Sequence, residues 1–546
     1  MPLRGGTVAP FAMMPSDLSG DRERSLPPLA QASGPDHAAP APAAGLDVPL
    51  PPPVEVTLTA ADRLQSAIAA RLVDALKDVS PRLPRKERDA IAAHYAETGY
   101  APLWVRDGAW TPAANRLIAH LKSADEDGLE AVDYPIPAVA STKGEPVEDW
   151  AEAEIRLSAA AVLYARDARG GRIEPSRLSG YLTPKLELPE TGALLGALGD
   201  AADPGAVLAG YQPQHPGYRA LKAKLAELRQ NRPAAPMVRV PVGPALRVGM
   251  RDPRVPLIRA RFGLGPVGDE TSYDERVASA VAAFQREKGL PANGVLTPKT
   301  VAALSGPSAA QLEGDLVANM ERWRWLPAEL GERHIFVNIP EYRLRLFEDG
   351  HAVHQTRVVV GKTESQTPIF SDQMEHVIVN PSWTVPPSIM KKEFLPALAR
   401  DPSYAARRGY EVIRRNGQIT VRQPPGERNA LGYVKFIFPN DHAVYLHDTP
   451  SRRLFAADRR AFSHGCVRVD QPFRLAEEIL RGQGSWSEER LKGLVGKGER
   501  YIRLQDKLPV HLAYFTLAVD DHGQLQRFED IYGHHAKVRA ALGLGA

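Results

Sequence analysis

A single cysteine, Cys466, stands in 546 residues. No disulfide can close within the chain, and no Cys-x-x-Cys pair can hold a structural zinc. Every domain must therefore hold itself together by burying apolar side chains. A chain of this length exceeds one ordinary core, so three or four domains are expected. The cysteine sits in Ser463-His464-Gly465-Cys466-Val467-Arg468-Val469, a little downstream of Tyr445-Leu446-His447-Asp448, which concentrates one thiol and two histidines in a short stretch.

A thiol becomes a strong nucleophile as the thiolate, and a nearby imidazole can take its proton and return it to a leaving amine. His447 or His464 can do this for Cys466; the residues alone leave both open. The alternative is a buried, inert cysteine behaving as a small hydrophobe. Against it, Gly465 permits a sharp turn that brings a peptide N–H toward a substrate carbonyl, and Ser463 and His464 are polar where a core strand would be apolar. Asp470 is expected to cap a helix from Pro472 to about Gly482. Cys466 would then lie on a short strand before a helix N-terminus, where backbone donors lower a thiol pKa.

A histidine, fifteen intervening residues, and then Ser-His-Gly-Cys followed by Val467 and Arg468 resembles the signature of L,D-transpeptidase catalytic domains of the YkuD type. The resemblance implies Cys466 as nucleophile, His447 as general base and then acid, and the backbone around Asp448 as the group orienting the imidazole. It ranks His447 above His464. His464, Gly465, Ser463 and Tyr445 match positions that shape the substrate pocket or oxyanion site. Arg468 matches a position that holds a substrate carboxylate or braces the site.

Sixty-eight Lys and Arg against sixty-five Asp and Glu give a net charge of +3. That is no basic footprint for nucleic acid or an anionic membrane. No run of eighteen apolar residues offers a membrane span. The pairs His351/His354 and His534/His535 lack carboxylate or cysteine company at ligand spacing, so neither a metal nor a cofactor is expected. Residues 1–56 are rich in Pro, Ala, Ser, Gly and Asp and read as a disordered tether. The stretch from Arg4 to Met14 is too short and broken for a signal-peptide core. An enzyme of the periplasm or cell envelope, as the resemblance implies, needs an export route that this stretch does not display.

The expected fold class is multidomain α+β. An α-helical domain is expected over 57–240, opening with Leu64, Ile68, Leu72 and Leu76 on one helical face entered through Thr59; it resembles the scaffold domain of the larger L,D-transpeptidases. The aromatic stretch Tyr95–Trp104 reads as core. A three-helix unit over 245–306 carries Val255, Ile258 and Phe262, then Val277, Val281 and Phe284, then a helix entered through Thr297-Pro298. With Gly289-Leu290 and Asn293-Gly294 it resembles a peptidoglycan-binding domain, Asn293 standing where Asp is more usual. Residues 307–330, with Trp323 and Trp325, form a helical bridge.

Residues 331–505 read as a β-rich sandwich or barrel-like catalytic domain, with strands near 334–339, 342–347, 353–360, 376–380, 433–438 and 443–446. Asp349-Gly350 signals a hairpin. Residues 386–430 interrupt the sheet with an insertion of the length of a lid or binding loop. The resemblance makes it a capping segment and implies that Trp383, at its foot, binds the peptide stem; a core tryptophan is the alternative. Residues 506–546 are expected to be a closing strand hairpin, which completes the sheet, and a tail.

By resemblance, the reaction is attack of Cys466 on the bond between a diamino acid and D-Ala in a tetrapeptide stem, then transfer of the thioester to a stem amine. This gives 3-3 cross-links in wall biogenesis. Water as acceptor would make an L,D-carboxypeptidase, a lipoprotein lysine would attach that protein to the wall, and loss of catalysis would leave a wall-binding scaffold. The partners so implied are peptidoglycan stem peptides, glycan strands and other cell-wall synthesis enzymes.

Overall fold

The computed structural model describes residues 58–545 except 140–145, 232–237, 239, 266, 306–307 and 416–417. The expected tether and the N-terminal export question lie outside these residues. Among the described residues no helix is long and apolar enough to cross a membrane.

Thr59 caps the helix Ala60–Ala75 with a reciprocal capping box to Asp62. Leu64, Ile68, Leu72 and Leu76 face a core shared with Tyr95, Trp104 and the long helix Val147–Gly170. Tyr95 and Trp104 are fully buried. Beside them Glu154 accepts the backbone N–H groups of Leu103, Trp104 and Val105 and the Tyr95 hydroxyl. One buried carboxylate thus fixes a non-helical segment whose amides would otherwise be unpaired. The helix Pro216–Gln230 packs instead with the bridge helix Ala309–Trp323, and its Tyr218, Leu221 and Leu225 join the largest core of the molecule.

The small three-helix unit has its own core of Val255, Ile258, Val277, Val281, Phe284, Val301 and Leu304. Thr297 Oγ1 accepts the Thr300 N–H, and Asn293 Oδ1 accepts the Val295 N–H at 3.0 Å, making the local turn a short side-chain acceptor can make. In the bridge, Trp323 stacks on Phe515 with ring centroids 4.5 Å apart.

The large sheet is built from β1 (Arg333–Asn338), β2 (Arg343–Glu348), β3 (His351–Gly361), β4 (Phe370–Val379), β5 (Val434–Ile437), β6 (Leu446–His447), β7 (Ala461–Ser463), β8 (Val467–Val469) and β9 (Arg500–Ala513). Their order is β7-β3-β8-β6-β5-β4-β9-β1-β2, and β2 also pairs with β3. That last pairing closes eight strands into a ring, with β7 lying along the far end of β3. The barrel-like expectation therefore describes the sheet. Asp349 and Gly350 turn β2 into β3 with both residues at positive φ, the geometry that suits a right-twisted hairpin.

Two expectations are corrected. The chain after β9 does not complete the sheet: Leu517–Val519 and Leu525–Arg527 form a separate two-stranded hairpin, and a helix, His534–Ala541, follows. The sheet strand ends at Ala513, whose carbonyl accepts the Ile339 N–H. Second, Asp470 does not cap the helix Pro472–Ile479. The cap position falls to Gln471, in the left-handed region and without a side-chain bond. The Asp470 carboxylate instead pairs with Arg357 on β3 at 2.8 Å.

Candidate active site

Strand alternation decides which side chains meet. β6 runs parallel to β8 with Leu446 opposite Val467 and His447 opposite Arg468, and antiparallel to β5 with Lys435 opposite His447. Phe436, Leu446 and Val467 form one row and are fully buried in the core. Each contributes about 1.5–3 kcal/mol by burial and pins the register. The next row, on the opposite face, is Lys435, His447 and Arg468. Cys466 and Tyr445 lie level with each other one residue earlier, the Val467 N–H donating to the Tyr445 carbonyl at 3.1 Å. Cys466 and His447 are thus diagonal neighbours on one face, about 8 Å apart at Cα by strand spacing and rise.

The imidazole is aimed by the backbone. His447 is buried, and its Nδ1 meets the Asp448 carbonyl, which only accepts. Nδ1 therefore carries the proton, and Nε2 keeps the lone pair that a base requires. The Asp448 carboxylate is turned away: it accepts the N–H groups of Tyr433 at 2.8 Å and Thr449 at 2.6 Å and pairs with Arg452 at 2.5 Å. Burial, followed by the charges of Arg468 and Lys435, pushes the imidazole down to about 3.

The turn before the thiol is tied by Ser463. Its hydroxyl donates to the Cys466 carbonyl at 2.5 Å and accepts the Gly465 N–H at 3.1 Å. Thr367 Oγ1 donates to the Gly465 carbonyl at 2.8 Å. Gly465 sits at φ +117°, where a Cβ would be strained. Because its N–H is held by Ser463, Gly465 does not offer the free donor that the sequence suggested. The Cys466 N–H, by contrast, makes no hydrogen bond to any described residue.

Cys466 is half-buried, with Sγ 4.0 Å from the Ala443 carbonyl. The expectation of a thiol acidified by a helix end is not met. The whole of β8 separates Cys466 from the helix Pro472–Ile479, and burial raises the thiol above its ordinary value. The Tyr445 N–H and the charges of Lys435 and Arg468 only partly oppose this.

His464 is exposed and points elsewhere: its Nε2 lies 2.7 Å from Glu393 Oε1 on the capping segment. That segment runs from Pro387 through a π-helical turn at Met390–Phe394 to Arg400. Its strands Glu411–Arg415 and Gln418–Gln423 form a small sheet with Trp383–Thr384. Val385, Phe394, Ala405 and Val421 give it a core of its own. Trp383 leans on that core and lies close enough to Tyr445 to oppose the burial that pushes the Tyr445 hydroxyl up. The capping sheet therefore touches the catalytic face at Trp383 and at Glu393.

Lys435 escaped the sequence reading. Its ammonium lies 3.8 Å from the centre of the Tyr445 ring. Its alternation with Val434 and Phe436 marked a half-buried strand, but only the register against His447 shows where it points. Among the described residues no group of three or more His, Cys, Asp or Glu is gathered as a metal site would need. His535 pairs with Asp315 at 2.9 Å, and His534 packs on Tyr514 and Tyr532.

Three family models match the chain: a scaffold domain over residues 89–225, the "Putative peptidoglycan binding domain" over 260–304, and the L,D-transpeptidase catalytic domain, YkuD, over 332–488. A Haemophilus influenzae protein named "Putative L,D-transpeptidase" is 34% identical over 244 residues, covering 41% of this chain and 49% of its own length. The chain thus spans about half the length of that relative. A Xylanimonas cellulosilytica L,D-transpeptidase structure is 17% identical, covering 50% of this chain and 98% of its own, with a TM-score of 0.15. A mutant Enterococcus faecium L,D-transpeptidase structure is 14% identical, covering 33% and 50%, with a TM-score of 0.16. The strands that bring His447 beside Cys466 lie within the residues that match the L,D-transpeptidase catalytic domain, and matches to a scaffold domain and a peptidoglycan-binding domain precede it in the chain.

Proposed function

We propose that the chain is a peptidoglycan L,D-transpeptidase of the cell envelope that forms 3-3 cross-links between stem peptides. The observation that carries this reading is the placement of His447 and Cys466 on one sheet face, with the lone pair of His447 left on Nε2. Nε2 takes the thiol proton as Sγ attacks the carbonyl between the diamino acid and the terminal D-Ala. The Cys466 N–H stands ready for the oxyanion. The C–N bond breaks, His447 returns the proton to the departing amine, and a thioester remains. The amine of a second stem attacks it, its proton passes to His447, and Sγ leaves. No metal or cofactor enters these steps.

The peptidoglycan-binding domain supports a role at the wall, with stem peptides and glycan strands as partners. The capping segment, held at Trp383 and Glu393, favours an amine over water by shielding the thioester. The test is mass spectrometry of muropeptides after incubation of tetrapeptide-rich peptidoglycan with the chain and with Cys466→Ala. Dimers linked 3-3 that require the thiol support the proposal. Tripeptides without dimers would make it an L,D-carboxypeptidase, and no change with folded protein would leave a wall-binding scaffold.

A further inference from the structure

The peptide unit joining Gly465 to Cys466 is held at one end only. Its N–H, on Cys466, is unpaired among the described residues, while its carbonyl, on Gly465, accepts the buried Thr367 hydroxyl at 2.8 Å. A trans peptide is a rigid plane whose C=O and N–H point opposite ways, so a bond that fixes the Gly465 carbonyl also fixes the direction of the Cys466 N–H. Gly465, at φ +117° and without a Cβ, would otherwise let that plane turn.

The Thr367 hydroxyl has one proton to give. It accepts the Gly361 N–H at 2.8 Å, a group that only donates, and places its own proton on the Gly465 carbonyl, a group that only accepts. Each bond polarises the next, so the relay from Gly361 through Thr367 to Gly465 also makes the Cys466 N–H a stronger donor.

Thr367 is held in turn from outside the large sheet. After β9 ends at Ala513 the chain returns with Tyr532, whose hydroxyl accepts the Thr367 N–H at 3.3 Å and donates to the Gly361 carbonyl at 2.5 Å. One phenol thus clamps both ends of a turn so tight that a Cβ on Gly361 would run into the Ser365 carbonyl and the Thr367 nitrogen. The Tyr514 hydroxyl accepts the Tyr532 N–H at 2.8 Å and donates to Asp530 at 2.7 Å, and the two rings stack 5.7 Å apart. Thr367 and Tyr532 are both buried, so water does not replace either hydroxyl.

We propose that Thr367 and Tyr532 are positioning residues for acylation: through the Gly465 carbonyl they hold the Cys466 N–H where the oxyanion forms, which gives the C-terminal segment a part in catalysis. This rests on Cys466 as the nucleophile of the transpeptidase reading above.

The test compares two reactions of Cys466 in the full chain, each followed at one pH by mass spectrometry of the cysteine-bearing peptide. Acetylation by p-nitrophenyl acetate passes through an oxyanion: Sγ forms the new S–C bond, the ester C–O bond breaks, p-nitrophenolate leaves, and the thiol proton passes to His447. Alkylation by iodoacetamide displaces iodide and forms no oxyanion. Thr367→Val, which keeps the shape and removes the hydroxyl, should slow acetylation at least about tenfold, a displaced donor costing less than a deleted one. It should change alkylation less than about threefold, because Ser463 still ties the turn. Thr367→Ser should restore acetylation to within about threefold of wild type, and Tyr532→Phe should lower it about fivefold.

Equal slowing of both reactions in Thr367→Val would assign the hydroxyl to the thiol and overturn the proposal. Unchanged acetylation in Thr367→Val, no rescue by Thr367→Ser, or a wild-type thiol that alkylates without being acetylated would overturn it too. Unchanged acetylation in Tyr532→Phe would remove the C-terminal segment from it. If the wild type yields neither cross-links nor tripeptides from tetrapeptide-rich peptidoglycan while the acetylation pattern holds, the transpeptidase reading fails and the positioning role stands.

Discussion

His464 Nε2 and Glu393 Oε1 meet at 2.7 Å, joining the residue two places before the thiol to the π-helical turn of the capping segment. Both side chains are at least a third exposed, so the pair contributes no more than about 0.2–1 kcal/mol. Its effect is on position rather than on global stability. Glu393→Gln should leave the melting temperature within about 2 °C of wild type. Hydrogen exchange over 387–400 should quicken several-fold, because the packing of Phe394 in the segment's own core then holds it without the tie to His464. Unchanged exchange in that stretch would show that the ion pair holds nothing.

The resting Cys466/His447 pair is neutral. Burial holds the thiol above its ordinary value, and burial with Arg468 and Lys435 holds the imidazole down at about 3. The unmodified thiol therefore stays protonated, and the imidazole unprotonated, across the neutral range. Alkylation of Cys466 by iodoacetamide should climb about tenfold per pH unit from pH 6 to pH 8 without a plateau, because the thiolate fraction grows with each unit below the thiol pKa. A plateau below pH 8 would reveal a preformed thiolate–imidazolium pair instead.

The nearness of His447 to Cys466 and the strands that bring them together were legible in the sequence because each has a local signature: period-two alternation, a hairpin turn at Asp349-Gly350, and a fixed spacing from His447 to Cys466. Capping at Thr59 and Thr297 was legible for the same reason. What could not be read depends on contacts distant in the chain. The Lys435 role comes from strand register against His447. The loss of Gly465 as a donor comes from a Ser463 hydroxyl that also serves the Cys466 carbonyl. Asp470 has the chemistry of a helix cap, but Arg357, 113 residues away, competes for its carboxylate and wins. The thiol pKa turned on burial, which no local pattern states.

Asp315 gives an acid-stability prediction. It joins the bridge helix to the C-terminal helix through His535 at 2.9 Å and Arg539 at 2.6 Å, and to the hairpin through Arg527 at 2.8 Å. Burial pushes its carboxyl up, but hydrogen bonds from His535 and Arg527 outweigh burial and hold it down at about 2. A carboxyl depressed on folding contributes stability above its unfolded value near 3.9 and loses that contribution as pH falls toward 2. The stability difference between wild type and Asp315→Asn, from urea unfolding, should therefore shrink by about 2 kcal/mol between pH 5 and pH 2. A difference independent of pH would mean that the carboxylate charge is not what holds these elements together.

Gly432 sits against Asp448, the residue after His447. It sits at φ +60°, and a Cβ there would run into the Asp448 carboxyl. That carboxyl is fixed by the Tyr433 and Thr449 N–H groups and by Arg452, so it has little freedom to retreat. Gly432→Ala must displace Asp448, whose carbonyl orients His447 Nδ1, and it adds backbone strain of about 1–2 kcal/mol at a left-handed position. We expect a destabilisation of about 1–3 kcal/mol and a loss of at least tenfold in cross-linking turnover. Alkylation of Cys466 by iodoacetamide should change far less, because Ser463 and Thr367 hold the thiol's turn independently of Asp448. If turnover survives in folded Gly432→Ala protein, the Asp448 carbonyl does not set the orientation of the base.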